Sequence, residues 1–492
     1  MFQSFMNNQS NKFFRFISQV RIILILAILM IQFTELKAAD LEWSGLYRFE
    51  ANHIESSELA GEAYKDYGLH HFVLKPKIIA ADGLNIYGRF DILNSQIATP
   101  NQMGETWGQG STAASTNNTD SNAFGDSQMP ATLQITNLYL AYIQEFGSII
   151  IGRAPLQFGL GMSHSAGDGQ FDHWYDNRNM VGYKMVFGNS YFMPSISKVN
   201  ENTINNNSLD VTDVSFQFQH NNPDANLEMG VFYQMRKSSN GNDAPVSNTG
   251  EGYYGGVTGL LADKLDVNHL NLYAIRDRAN FKWGIELSFD GGKVGVRDGG
   301  GIGSNVALAG FGFATEFEFR PQGKVVYGVK AGYASGDDPT TTNKYEGFAF
   351  DRNYDVALLL FNHQLGQVDI INSKINGGGA TADNDSMDIE SVGNAAYFAP
   401  SVLYKWKEDW NLKGTLIAGF LNNDILTTTP TQVTIDKSLG YEFDLELQFK
   451  PTENFTWLNQ LAYFTPGTAF EAGQGLDTKS ALALFSKVAI SF

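Results

Sequence analysis

Residues 480–492 read Ser-Ala-Leu-Ala-Leu-Phe-Ser-Lys-Val-Ala-Ile-Ser-Phe and stand last in the chain. Apolar side chains of this stretch share one parity: Leu482, Leu484, Val488, Ile490 and Phe492. Small and polar side chains take the other parity: Ala481, Ala483, Lys487 and Ser491. Because successive side chains of a strand point to opposite faces, this pattern predicts a strand with one apolar and one small, polar face.

Such a strand fits the closing strand of a membrane β-barrel. Its apolar face would meet lipid, its polar face would meet a lumen, and its backbone would pair with the first strand and remove the sheet edge. In this the chain resembles bacterial outer-membrane β-barrel proteins, whose last strand commonly ends in Phe. That resemblance implies that Phe492 is read by the barrel-assembly machinery. An ordinary terminal strand of a soluble sandwich is the alternative.

Composition favours the barrel. The chain has 492 residues with 50 Gly, 36 Phe and 21 Tyr, and only 17% of its residues are charged, which suits a β-rich membrane protein. It contains no cysteine, so disulfides and thiolate metal sites are excluded. A formal net charge of −18 argues against nucleic acid as a partner.

The N-terminus has the pattern of a secretory signal peptide. Lys12, Arg15 and Arg21 precede an apolar run over residues 22–31, and small residues follow at Ala38 and Ala39. The apolar run is too short to span ~30 Å of hydrocarbon as a helix. We predict a signal peptide over residues 1–38 and a barrel over 39–492; a retained anchor is the alternative.

Alternating segments recur along the mature chain, for instance from Phe281 to Asp290, and the connections between them alternate in length. Eight short turns and nine long polar loops predict a transmembrane antiparallel β-barrel of about 18 strands, or 16 if two segments are misjudged. The short turns and both termini would be periplasmic, and the long loops extracellular. In the seventh long loop, 335–394, the apolar residues 354–361 predict a short helix or an inward-folded hairpin packed against the barrel rim.

Charged residues concentrate on the parity assigned to the lumen. The basic set is Arg48, Lys75, Lys77, Arg89, Lys184 and Lys487. The acidic set is Glu286, Glu316, Glu318, Glu442, Asp444 and Glu446. A wet lumen tolerates such charges, whereas Arg or Lys at the lipid-facing midplane costs ~2–4 kcal/mol. Because the two sets lie on different arcs, they predict a transverse field that orients ionic solutes. The alternative is cross-strand ion pairs within the wall, such as Lys413 with Glu442 or Asp444.

The last third of the chain carries a more specific resemblance. Residues 332–339 (Gly-Tyr-Ala-Ser-Gly-Asp-Asp-Pro), 350–354, 440–446 and 464–467 are similar to the alginate-export type of outer-membrane channel. The resemblance, mainly over residues 325–492, implies an eighteen-stranded barrel. The arginine-lined constriction of that family would correspond here to Arg48, Arg89 and Arg153.

The third long loop, 154–179, has the length and position to fold into the lumen as a constriction, as third loops of porins do. Its charged candidates are Asp168, Asp172, Asp176 and Arg178. A surface-exposed loop is the alternative. The same aspartates, or Asp337 and Asp338, have oxygen ligands for Ca²⁺, but no spacing matches the twelve-residue calcium loop, so a metal stays open. No cofactor is expected.

An enzyme is the competing class, with Ser163, His164 and Ser165 beside Asp168 as candidates. Adjacent residues of an extended segment point apart, and the chain has no Gly-x-Ser-x-Gly elbow, so we expect no enzyme. The sequence predicts a porin-like channel for passive or selective diffusion of small polar or ionic solutes. A plugged barrel whose loops bind a partner is the alternative, and the oligomeric state is left open.

Overall fold

The computed structural model describes residues 40–61, 64–92, 133–201, 210–238, 266–295, 305–338, 341, 344–363, 365–366, 391–423, 437–474 and 478–492. The predicted signal peptide, 1–38, lies outside the described residues, as do parts of the long loops. No helix in the described part of the chain is long and apolar enough to cross a bilayer.

Strands make up nearly all of the described chain. Their bounds are β1 (Asp40–Glu55), β2 (Tyr64–Ala81), β3 (Leu84–Ile92), β4 (Leu133–Gln144), β5 (Gly147–Pro155), β6 (Asn177–Phe187), β7 (Ser190–Glu201), β8 (Asp210–Asn222), β9 (Leu227–Ser238), β10 (Asp266–Arg278), β11 (Phe281–Gly295), β12 (Asn305–Leu308), β13 (Phe311–Phe319), β14 (Val325–Ala334), β15 (Lys344–Tyr345), β16 (Ala395–Lys407), β17 (Trp410–Leu421), β18 (Ser438–Thr452), β19 (Phe455–Pro466) and β20 (Ala481–Ser491). One short helix, α1 (Thr468–Gln474), precedes β20.

Eighteen of these strands pair antiparallel in chain order and close on themselves, since β1 pairs with both β2 and β20. The short β12 extends the sheet beside β11, and the two-residue β15 pairs in parallel with β12. The predicted eighteen-stranded barrel is therefore confirmed. The described strands are joined by the predicted eight short connections, and both ends of the barrel sheet lie on the side of these connections.

The seam is closed by the last residue. Gly45 N donates to Phe492 O at 2.8 Å, and Phe492 N donates to Gly45 O at 3.0 Å. The Phe492 ring stacks on Phe72 with centroids 6.0 Å apart. A Cβ on Gly45 would lie 2.4 Å from the ring, so glycine is needed there. The terminal aromatic residue thus belongs to the outer face of the seam.

Inner and outer faces alternate as predicted. On β20, Ala481, Ala483 and Ala489 are fully buried, whereas Leu484 and Ile490 are 48% and 41% exposed. A membrane barrel of this kind presents its apolar parity to lipid and its polar parity to the lumen. Two long connections fold into that lumen: loop 3, residues 156–176, and loop 7, residues 335–394, of which 335–338, 341, 344–363, 365–366 and 391–394 are described.

Candidate functional site in the barrel lumen

Loop 3 is held at one end by a carboxylate of the wall. Glu286, on the inner face of β11, is fully buried. It accepts hydrogen bonds from the backbone N–H groups of Leu160 at 2.6 Å, Met162 at 3.3 Å and Ser163 at 3.2 Å. Asn271 on β10 donates a further bond at 2.8 Å. The buried charge therefore serves to satisfy backbone donors that would otherwise lack partners.

The other end of loop 3 is held by two arginines. Arg48 on β1 donates to Asp172 O at 2.7 Å, and Arg89 on β3 donates to Ala166 O at 3.0 Å and Gly167 O at 2.9 Å. In the closed order of strands, β11 lies on the opposite side of the barrel from β1 and β3. Loop 3 consequently crosses the lumen.

Each of these arginines is neutralised by the carboxylate two residues further along its strand. Arg48 Nε lies 2.8 Å from Glu50, and Arg89 Nε lies 3.1 Å from Asp91, with all four side chains buried. His71 adds a contact of 2.7 Å to Asp91. Buried charges need such partners because desolvation is costly. Arg48 and Arg89 therefore act on loop 3 rather than directly on a solute.

Loop 7 is also held by carboxylates of the barrel wall, which accept hydrogen bonds from its backbone. Glu442 on β18 accepts from the N–H groups of Leu358 at 3.0 Å, Leu359 at 2.7 Å and Leu360 at 2.7 Å, and Asp444 accepts from Leu358 at 3.1 Å. These donors are unavailable for helical or hairpin bonds. The predicted helix or hairpin over 354–361 is therefore wrong: the segment consists of turns and bends.

Loop 7 forms an apolar core against the inner wall, not at the rim alone. Phe350, Leu359 and Leu360 are completely buried in one cluster with Tyr397 of β16 and Phe485 of β20. Burial of this kind stabilises by roughly 25 cal/mol per Å² of apolar area. The loop thus fills the part of the lumen near these strands.

The two loops contact each other through loop 7's Asn353. Its side chain donates to Trp174 O at 2.7 Å and to Ser165 Oγ at 3.2 Å, and Asp351 N donates to Met162 O at 2.6 Å. The two loops thus form one connected constriction inside the barrel.

Two buried side chains of loop 7 have shifted pKa values. Burial lowers the pKa of His363 to about 3, and the charges of Lys487 and Lys65 contribute. Burial also raises the pKa of Asp351 well above its ordinary value, and the neighbouring Asp176 adds to the shift. Both groups therefore favour their neutral forms while the loop is docked.

Two adjoining cavities lie between loop 3 and the wall formed by β1 to β4. The larger, of about 350 Å³, is lined by Glu42, Lys75, Lys77, Tyr87 and Asp168 among others. The smaller, of about 210 Å³, shares Lys75 and Asp168 with it. Lys75 lies 2.5 Å from Asp168, and Lys77 lies 2.7 Å from Glu42. Unlike the arginine pairs, these side chains are a third or more exposed and face open space.

The other basic and acidic candidates of the lumen also lie on the inner face. Lys184 lies 4.1 Å from the ring centroid of Tyr191, and Lys487 Nζ lies 3.6 Å from Glu50. Each remaining acidic candidate has a local partner: Glu316 pairs with Lys330 at 3.0 Å, Glu318 with Arg320, and Glu446 accepts from Gln460 at 2.7 Å. Paired wall charges thus prevail among the described residues.

The charged residues predicted to form the constriction in loop 3 each contact a different partner. Asp172 accepts from Gly169 N at 2.7 Å, Asp176 lies 3.2 Å from His164, and Arg178, now at the start of β6, lies 3.0 Å from Asp213. Arg153 of β5 shares the outward parity of its cross-strand partner Leu138, so it does not line the lumen.

Neither a metal site nor a pair of His164 with Ser163 or Ser165 is formed in the described part of the chain. No group of three or more metal-ligating side chains occurs among those residues. Ser163 Oγ lies 3.2 Å from Glu286, and His164 contacts Asp176, so the adjacent serine and histidine engage different partners.

The sequence interpretation missed Glu50 and Asp91 as partners of the two arginines. The signal was present, because Arg48 with Glu50 and Arg89 with Asp91 are each two residues apart and share a strand face. Glu50 also contacts His173 of loop 3 at 2.7 Å, a long-range contact that strand periodicity does not reveal.

Comparison with known proteins finds no matching family model and no matching curated protein. Solved structures with a similar shape include OpdK of Pseudomonas aeruginosa, with 10% identity and a TM-score of 0.48 over 92% of this chain and 99% of that one. The anion-selective porin of Comamonas acidovorans has 10% identity and a TM-score of 0.43, over 92% and 100% of the two chains. These values are too low to carry an argument about function.

Proposed function

We propose that the protein is an outer-membrane channel through which small polar or ionic solutes diffuse, passively or selectively. The observation that carries the proposal is the pair of cavities beside loop 3. Their Lys75, Lys77, Glu42 and Asp168 side chains remain exposed, whereas the two arginine–carboxylate pairs of the adjoining wall are buried. Exposed charges in a narrow lumen act on passing ions with incomplete screening.

The geometry supports a restricted passage rather than a wide pore. Loop 3 crosses the lumen, and the apolar core of loop 7 fills the side near Phe485. Since both signs of charge line the cavities, ionic solutes of either sign find a partner there. Selectivity would follow from the balance between the two lysines and the two carboxylates.

The location proposed is the outer membrane, reached after removal of residues 1–38. An apolar outer face, a polar inner face and a seam that ends on Phe492 support it. Phe492 is the residue that the barrel-assembly machinery would read. The motifs of residues 325–492 support a relationship to the alginate-export type of channel. The proposal does not extend to the substrate of that family, because Arg48 and Arg89 bind loop 3 here.

Liposome swelling tests the channel. Purified protein in liposomes should admit small neutral sugars quickly and larger ones steeply more slowly, because two loops narrow the path. Liposomes with heat-denatured protein are the control. Folded protein that leaves liposomes as tight as the control would contradict the proposal.

A second candidate is a plugged barrel whose loops bind a partner. The observation that favours it is the apolar packing of Phe350, Leu359 and Leu360 inside the barrel. A plugged barrel would admit no sugar until loop 7 is released, whereas a channel admits small sugars with loop 7 docked.

A further inference from the structure

Polar side chains lie on the outer face at the middle of the wall on neighbouring strands around the seam. Asn459 of β19 lies between the outward aromatic residues Trp457 and Tyr463, which places it within the hydrocarbon layer. Trp457 Nε1 donates to Ser486 Oγ at 3.0 Å, and Ser486 Oγ donates to Asn459 Oδ1 at 3.1 Å. Asn459 and Ser486 are also cross-strand neighbours.

The polar row continues onto β1 and β2. Tyr47 and His70 share a hydrogen bond of 2.9 Å on this face. Nearer the extracellular end, His53 bonds to Asp66 across the same two strands. We call the surface formed by Asn459, Ser486, His53, Asp66 and His70 the seam patch.

The seam patch also has a groove. A cavity of about 680 Å³ opens on it, with Ala51 and Ser486 on its floor and Leu445, Leu461 and Leu484 among its walls. Ala51 pairs with Ser486 on one side and with Gly68 on the other, so small residues form a continuous row across the strands.

Apolar side chains occupy the same depth on the outer face of other strands. Val231 of β9, Val402 of β16 and Leu416 of β17 are 38%, 46% and 59% exposed and lie in the middle of their strands. Polar groups that face lipid tails find no hydrogen-bond partner there. On the seam patch, by contrast, hydrogen-bonding side chains of four neighbouring strands coincide with the groove, which indicates that protein, rather than lipid, covers this arc.

We propose that the seam patch is an interface with a second copy of this chain. A carboxamide both donates and accepts, so Asn459 complements the Asn459 of a partner across a two-fold axis, and Ser486 does the same. A lipid headgroup does not fit this position, because Asn459 and Ser486 lie below the upper aromatic residues. In the isologous contact, the leucines beside one groove pack over the small floor of the other. The inference rests on the membrane barrel and not on the channel function.

Cysteine cross-linking tests the interface, since the native chain has no cysteine. Oxidation of outer membranes that contain the variant Ser486→Cys should give a disulfide-linked dimer. If Ser486→Cys fails to assemble, Leu484→Cys at the groove edge replaces it and should give the same dimer. The matched control, Val231→Cys on β9, should stay monomeric. Equal cross-linking in patch and control variants, or none in either, would overturn the proposal.

A second measurement tests whether the side chains of the seam patch hold the two chains together. The double variant Asn459→Leu, His70→Leu should keep its heat-modifiable migration on gels and shift the detergent-solubilised mass from two chains to one. The inference would be overturned if the wild-type protein is monomeric both in mild detergent and in membranes, whether or not lipid co-purifies in the groove.

Discussion

Replacing Glu442 by alanine should release loop 7 from the wall. Glu442 accepts from Leu358, Leu359 and Leu360, but Leu358 N keeps Asp444 as a second acceptor at 3.1 Å. Two buried donors are then left without an acceptor while the loop is docked. Each costs ~1–3 kcal/mol, so docking weakens by roughly 2–6 kcal/mol. At the lower figure the docked-to-released ratio falls roughly 30-fold.

Limited proteolysis and single-channel recording report this release. Trypsin should cleave after Arg352, which packs on the Trp174 ring at 4.4 Å in the docked loop, much faster in Glu442→Ala than in wild type. Channels should conduct more and fluctuate more, because the lumen is wider when the loop is out. The matched control is Glu446→Ala, on the same strand and face, whose carboxylate accepts from Gln460.

The reasoning is refuted if Glu442→Ala and Glu446→Ala give the same cleavage rate and the same conductance as wild type. Equal increases in both variants would also refute it, since that result would reflect general loosening of β18 rather than loss of the loop's acceptor.

Further predictions concern the other loop, pH and the seam. Glu286→Ala should loosen loop 3 and raise conductance, because three backbone donors lose their acceptor; Ser288→Ala, on the same face of β11, should not. Since the pKa of His363 is about 3 when docked, the contribution of this histidine to loop 7 docking should be complete above pH ~6.5 and fall by about 2 kcal/mol by pH 5. The raised pKa of Asp351 acts in the opposite direction, so the histidine's part is the difference between wild type and a variant without it. Proteolysis after Arg352 should therefore rise more between pH 6.5 and 5 in wild type than in His363→Gln; identical pH profiles would contradict the assignment. Deletion of Phe492 should lower the amount of assembled barrel, measured by heat-modifiable migration, without changing the conductance of barrels that form.

The strand pattern made the barrel predictable. Parity alone assigned Leu484 and Ile490 to the outside and Ala481 and Ala483 to the inside, because period-two alternation depends on local sequence. The turns followed from the same pattern. Eighteen strands could thus be counted before any contact between them was known.

The lumen was less predictable, because its contacts join distant residues. Arg48 reaches Asp172, and Glu442 reaches Leu359, across more than eighty positions of the chain. Inward parity identified these charges, but not whether a loop or a solute lies against them. Loop 7 is the clearest example. Its apolar residues predicted that it packs against the barrel, but its backbone conformation depends on the Glu442 carboxylate of β18, which is distant in sequence.

Reversal potentials in planar bilayers under a salt gradient test the proposed channel most directly. The double variant Lys75→Gln, Lys77→Gln should shift selectivity toward cations, and Glu42→Gln, Asp168→Asn toward anions. Both shifts should shrink as salt rises, because the Debye length is only ~10 Å at 0.1 M. Lys237→Gln, on the outer face of β9, should have no effect. A barrel that never conducts, or whose reversal potential ignores both double variants, would contradict the proposed channel.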